Sequence, residues 1–128
     1  MENGYKLTGK KILIVDDSRQ TRVVLTMILT AEGAQIIEAE DSISALKMLE
    51  DSVPDLIIMD IHMPGMDGVT AAKIIKNCEK MDGTPILVVS ADHDAYARFP
   101  HSLKRLDAFL PKPFTKNELL AKASQLIS

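Results

Sequence analysis

Cysteine is nearly missing from this sequence. Cys78 stands alone, so no disulfide can form within the chain, which suits a reducing compartment. A basic surplus is missing too: 15 Lys and Arg face 18 Asp and Glu, for a net charge of −3. A protein built to grip a phosphate backbone usually shows the reverse, so direct nucleic-acid binding is not expected. Long apolar runs are absent, the longest being of the size of Ile12–Val15, and none reaches the length that inserts in a membrane. The opening residues, MENGYKLTG, carry no apolar signal region. No internal repeat or low-complexity segment occurs. What is present is 128 residues of which 46% are apolar, enough for one domain with one core, and a cytoplasmic location is expected.

Three apolar runs dominate: Ile12-Leu13-Ile14-Val15, Leu56-Ile57-Ile58-Met59 and Ile86-Leu87-Val88-Val89. Each is a strand in length and none alternates with polar residues, the pattern of a sheet covered on both faces. Gln35–Ala39 and Ala108–Leu110 are weaker strand candidates suited to the edges. Helical spacing fills the gaps. Ser18 can cap a helix carrying Val24, Met27, Ile28 and Ala31 and ended by Gly33. Val23 and Leu29 leave that helix apolar on more than one side. Ser42 can cap a second, with Ala45, Leu46 and Leu49 on one face. A third follows Gly68, with Val69, Ala72, Ile75 and Cys78 facing inward and the Asp82-Gly83 turn after it. A fourth, short one is expected from near Pro100, because proline is tolerated at a first helical position but not in an interior. The fifth opens with a capping box, Thr115-Lys-Asn-Glu118. Five β-α units joined by right-handed crossovers give an α/β fold, a doubly wound parallel sheet with helices on both faces. Residues 1–9 read as a loose tail and residues 10–128 as the domain.

Ligands of such sheets bind beyond the carboxyl ends of the strands. There the first strand is followed by Asp16 and Asp17, the third by Asp60, the fourth ends at Ser90-Ala91, and the fifth runs into Pro111-Lys112-Pro113. Three carboxylates, a hydroxyl and an ammonium thus converge on one edge. At about 5 Å and an effective dielectric of about 20, each ionised carboxylate pair costs on the order of 3 kcal/mol. Lys112 offsets only part of this. A hard, oxygen-loving divalent cation, Mg²⁺, would offset the rest and leave coordination positions open for phosphate oxygens. Carboxylate, Mg²⁺, lysine and hydroxyl together suit phosphoryl transfer, with a carboxylate as nucleophile.

Four stretches, Ile14-Val15-Asp16-Asp17-Ser18, Met59–Gly68 with its Met-Pro-Gly-Met-Asp-Gly ending, Val89-Ser90-Ala91 and Lys112-Pro113-Phe114, resemble the receiver domain of response regulators, over roughly Lys10 to Ser128. The resemblance implies a flavodoxin-like sheet of five strands in the order 2-1-3-4-5 with five helices. It implies a phosphoacceptor switch of a two-component system or phosphorelay, taking a phosphoryl group from a phosphohistidine onto Asp60. By the same likeness Asp17 binds Mg²⁺ directly, with Asp16 assisting, Asp60 sharing the metal and His62 giving its backbone carbonyl. Ser90, Ala91 and Lys112 would hold phosphoryl oxygens, and Phe109 would be the aromatic switch partner of Ser90. The Lys112-Pro113 bond would be cis. His62 and Asp92 would flank the phosphoryl group, while His93 and His101 read as surface residues. Such a domain catalyses its own phosphorylation and dephosphorylation and is not a turnover enzyme.

The implied partners are a histidine kinase or a histidine phosphotransfer domain and a downstream protein. The downstream target would meet the face of the fourth helix, fifth strand and fifth helix. An exposed apolar side of the first helix would suit a histidine-bearing helix. Two features depart from the family pattern, Pro100 and the Arg105-Leu106-Asp107 stretch before the fifth strand. Competing readings are a degenerate receiver that only binds protein, an aspartyl-nucleophile phosphohydrolase, and a nucleotide or flavin binder. The phosphohydrolase often has a second acid two residues after the first, where this chain has His62. The nucleotide or flavin binder needs a phosphate-friendly loop where Asp16-Asp17 stands. The chain would act alone or as a piece of a larger regulator or hybrid kinase.

Overall fold

The computed structural model describes residues 7–61, 68–91 and 108–127. Five strands form one parallel sheet: β1 (Lys11–Val15), β2 (Gln35–Ala39), β3 (Leu56–Met59), β4 (Ile86–Ser90) and β5 (Ala108–Pro111), in the order β2-β1-β3-β4-β5. The two polar candidates thus lie at the edges, and the three apolar runs fill the centre.

The apolar strands are sorted by the pleat, which sends neighbouring side chains to opposite faces. Ile12, Ile14, Leu56, Ile58, Leu87 and Val89 pack on one face with Leu25 and Leu29 of α1 (Arg19–Thr30) and with Leu119, Leu120 and Ala123 of α4 (Lys116–Ile127). Leu13, Val15, Ile57, Met59, Ile86 and Val88 face the other way. They meet Ala45 and Leu49 of α2 (Ser42–Asp51), Ala72 and Ile75 of α3 (Gly68–Lys76), and Met81 of a 3₁₀ turn at Glu79–Met81. Full burial of a Leu, Ile or Val stabilises by about 1.5–3 kcal/mol, so the two half-cores fix the register that aligns the strand ends. Among the described residues there are four α-helices. The fifth helix expected, near Pro100, falls outside the described residues, as do Phe99, Leu103 and the Arg105–Asp107 stretch.

Several local expectations need correction. Ser18 does cap α1, its hydroxyl accepting the Thr21 N–H at 3.2 Å. The buried face of that helix, however, is Leu25 and Leu29, with Ile28 only partly covered, while Val24 and Met27 are 44% and 67% exposed. The cap of α2 is Asp41 and not Ser42: its carboxylate accepts the Ser44 N–H at 2.7 Å, and Ser42 is already helical and buried. The Ser44 amide also holds the Asp41 carboxyl below its usual value. Cys78 is exposed because α3 stops at Lys76 and the chain changes direction before the 3₁₀ turn. The capping box of the last helix is present, with reciprocal bonds between Thr115 and Glu118 at 2.8 and 3.1 Å. Residues 7–9, read from the sequence as tail, pack onto the domain, with Leu7 fully buried against the α1–α4 half-core. Behind it Gly9 N–H donates to the Gly33 carbonyl, and both glycines have positive φ, which favours glycine at these two positions.

Candidate functional site

The ladder runs one residue beyond the strand ends. Asp16 N–H donates to Ala39 of β2 at 3.2 Å, and Asp60 N–H donates to Val15 of β1 at 3.0 Å. Because Val15 is in register with Met59, the residues after them, Asp16 and Asp60, emerge side by side at the carboxyl edge. On the other side of the sheet's centre, Lys112 N–H donates to the Ser90 carbonyl at 2.9 Å, one step past the Ser90–Pro111 pair. The Lys112-Pro113 peptide is cis.

From there the Lys112 ammonium reaches back to the acids and lies 3.2 Å from Asp16 Oδ2 and 3.2 Å from Asp60 Oδ2. Carboxylate oxygens of Asp16, Asp17 and Asp60 all lie within 4.8 Å of one another. These four groups alone therefore carry two surplus negative charges. Asp16 is buried, and burial pushes its carboxyl above the usual value, against the pull of the Ser18 amide and the Lys112 ammonium. Burial would by itself lower the Lys112 ammonium, but Asp16 and Asp60 together outweigh it and hold it above its usual value. Asp17 is exposed, and nothing among the described residues hydrogen-bonds or ion-pairs with its carboxylate.

Of the residues singled out from the sequence, Asp16, Asp17, Asp60 and Lys112 form one cluster, and Ser90, fully buried, ends β4 and accepts the Lys112 N–H on its carbonyl. Ala91 follows Ser90 and is exposed, and Phe109 is half-buried beside the α2–α3 half-core. His62 and Asp92 lie outside the described residues, as do His93 and His101. Sequence reasoning missed Arg22 and Glu38. The Arg22 guanidinium donates to the Asp16 backbone carbonyl at 2.6 Å and to Glu38 Oε1 at 3.0 Å. No spacing rule links a residue in the first turn of a helix to a side chain on the strand that follows it, so this pair had no signal. Hard oxygen donors with a charge surplus suit a hard divalent cation, and the donor set fits Mg²⁺.

A family model described as the response regulator receiver domain matches residues 12–124. The chain belongs to that family. Over 112 residues this receiver domain is 33% identical to protein PilG of Pseudomonas aeruginosa, an alignment covering 88% of this chain and 83% of PilG. It is 33% identical over 117 residues to the response regulator MprA of a Mycobacterium species, covering 91% of this chain and 50% of MprA. The receiver domain thus spans most of one relative and about half the length of the other. Among solved structures, the response regulator TrrA of Thermotoga maritima, in complex with Mg²⁺ and BeF, superposes with a TM-score of 0.81 at 34% identity. That alignment covers 91% of this chain and 98% of TrrA. Phosphoacceptor signalling in a two-component system is the role of this domain, and the phosphohydrolase, flavin-binding and binding-only readings are not favoured. Among the described residues no helix is long and apolar enough to cross a membrane.

Proposed function

We propose that Asp60 is the phosphoacceptor of this receiver domain. The observation that carries this reading is the position of Lys112, shared at 3.2 Å between Asp16 and Asp60 within a cluster that keeps a negative surplus. One Asp60 carboxylate oxygen attacks the phosphorus of a phosphohistidine, the P–N bond breaks, and its electron pair stays on the departing imidazole. Lys112 leaves its carboxylate contacts in part to meet an incoming phosphoryl oxygen, a charge-assisted bond stronger than a neutral one. Ser90 and the backbone at Ala91 hold further oxygens, and Phe109 follows the movement of Ser90. Asp17, Asp16 and Asp60, with the backbone carbonyl of His62, would hold Mg²⁺. Bound there, the ion would supply charge neutralisation for the phosphoryl oxygens and the crowded acids. The domain catalyses its own phosphorylation and dephosphorylation.

The donor is a histidine kinase or phosphotransfer domain. Its approach is supported by Val23, Val24 and Met27, exposed on α1 by 44%, 44% and 67%. Next to them a cleft of about 310 Å³ is lined by Gln20, Thr21, Val24, Lys112, Pro113 and Phe114 and so opens beside the site lysine. A downstream protein reads the face that includes β5 and the last helix, and alanine at Phe99, Leu103 and Phe109 weakens its binding.

Incubation with phosphoramidate tests the central assignment by intact-protein mass. A gain of one phosphoryl group that needs Mg²⁺ and disappears in Asp60→Asn is expected. Steady release of free phosphate without a lasting adduct would instead indicate a hydrolase. Absence of any adduct in the unaltered chain would leave a binding module.

A further inference from the structure

We infer that Arg22 is a positioning residue for the metal-binding turn Asp16-Asp17, and that Glu38 aims it. This rests on the reading of Asp17 as a Mg²⁺ ligand. Asp17 has an exposed carboxylate with no partner among the described residues, so nothing at its own tip orients it. Its direction is set from behind, by the plane of the peptide joining Asp16 to Asp17. Asp16 itself is held at three points: its N–H by Ala39, one carboxylate oxygen by the Ser18 N–H at 2.8 Å, the other by Lys112. Of these, only the Ser18 bond closes a ring across the Asp16–Asp17 peptide, and none of them meets its carbonyl. The group that does is the Arg22 guanidinium, which takes that carbonyl at 2.6 Å.

A neutral donor would satisfy a carbonyl, and a largely covered cation is a costly way to do it. The guanidinium adds a rigid fork. While Nη1 meets the carbonyl beyond β1, Nε meets Glu38 on β2 at 3.0 Å, so α1, β1 and β2 are pinned at one point. The Arg22 side chain is only 12% exposed, which limits other orientations. Glu38 also cancels a positive charge that would otherwise repel a cation at the acids. Partners that orient a ligand from outside the coordination sphere are worth about 10–100-fold in metal affinity.

Titration of the unphosphorylated full chain with MgCl₂ by calorimetry, beside metal-free thermal unfolding, tests this. Arg22→Ala is expected to raise the Mg²⁺ Kd about tenfold. Arg22→Gln, which can return one N–H to the carbonyl without the charge, recovers part of that loss. At saturating MgCl₂ the phosphoramidate reaction of Arg22→Ala returns close to the rate of the unaltered chain, which a general loss of structure would not allow. A Kd in Arg22→Ala that is unchanged, or lower, overturns the inference, the lower value meaning that the guanidinium acts only as a repelling charge. If Arg22→Ala is unfolded without metal, Arg22→Lys against Arg22→Gln decides. Similar Kd values support positioning, and distinctly tighter binding by the uncharged Gln overturns it. Failure of the unaltered chain to bind Mg²⁺ at millimolar concentration would remove the metal site itself, a separate result.

Discussion

At the amino ends of the strands, polar groups are matched locally. Asp55 accepts the Lys11 N–H at 2.8 Å and returns its own N–H to the Lys11 carbonyl at 2.7 Å. Lys76 donates to the Thr84 carbonyl and Lys80 to the Glu50 carbonyl. At the carboxyl ends, three acids crowd together and one lysine pairs with two of them, Asp16 and Asp60. Both ends belong to the same sheet and are framed by the same half-cores, so the difference lies in how charge is left. One end is a closed set of hydrogen bonds that serves the fold. The other holds like charges together at a cost in stability, which the surrounding core offsets, and keeps them available for chemistry.

Substitutions at the two ends should therefore differ in sign. The largest effect is expected at the amino end, where Leu7→Ala should destabilise by about 2–5 kcal/mol in urea unfolding, the usual cost of emptying a buried leucine site. A change below about 1 kcal/mol would show that Leu7 is not part of the core. At the carboxyl end, Asp16→Asn should stabilise the metal-free domain at pH 7 by on the order of 1–2 kcal/mol, because Lys112 keeps Asp60 and one buried charge is gone. The sign follows from burial. A carboxyl whose folded value is raised takes up protons in the native state first, so the unaltered domain loses stability as pH climbs from the ordinary carboxyl value through the raised one. The gap between Asp16→Asn and the unaltered chain should widen over that same interval and vanish below it. Asp55→Ala, by contrast, should cost about 1 kcal/mol, the worth of a surface hydrogen bond to a charged acceptor. Stabilisation by Asp55→Ala, or loss by Asp16→Asn, would erase the contrast between the ends. The smallest effect is alkaline. Lys112 contributes stability that is complete below its ordinary value and lost as pH rises through the higher folded one. Unfolding midpoints above pH 10 should fall less steeply in Lys112→Met than in the unaltered chain.

The central strands were legible because burial on both faces demands unbroken apolar runs, and Ile12–Val15, Leu56–Met59 and Ile86–Val89 have little other use. The acids and Lys112 were legible for a related reason: each follows a strand directly, and a parallel sheet brings strand ends together. Helix faces were less so. α1 is apolar around much of its girth, so Val24 and Met27 fit an inward stripe as well as Leu25 and Leu29 do, and only the position of the sheet decides between them. Asp41 and Ser42 are both good caps in adjacent places, and one residue of phase separates them. Leu7 is a lone leucine in a polar stretch, with no period to mark it. Arg22 and Glu38 meet only through tertiary packing, which no local pattern encodes.

Leu7 also determines how the polypeptide enters the domain. Seated in the α1–α4 half-core, with the Gly9–Gly33 bond just behind it, it forms a collar at the pole opposite Asp60. A reporter protein spliced ahead of residue 7 would thus be mounted on a post and not on a slack tether. It would leave the approach to the acid cluster clear, whereas a splice placed at Lys10 would pull out the plug that steadies the post.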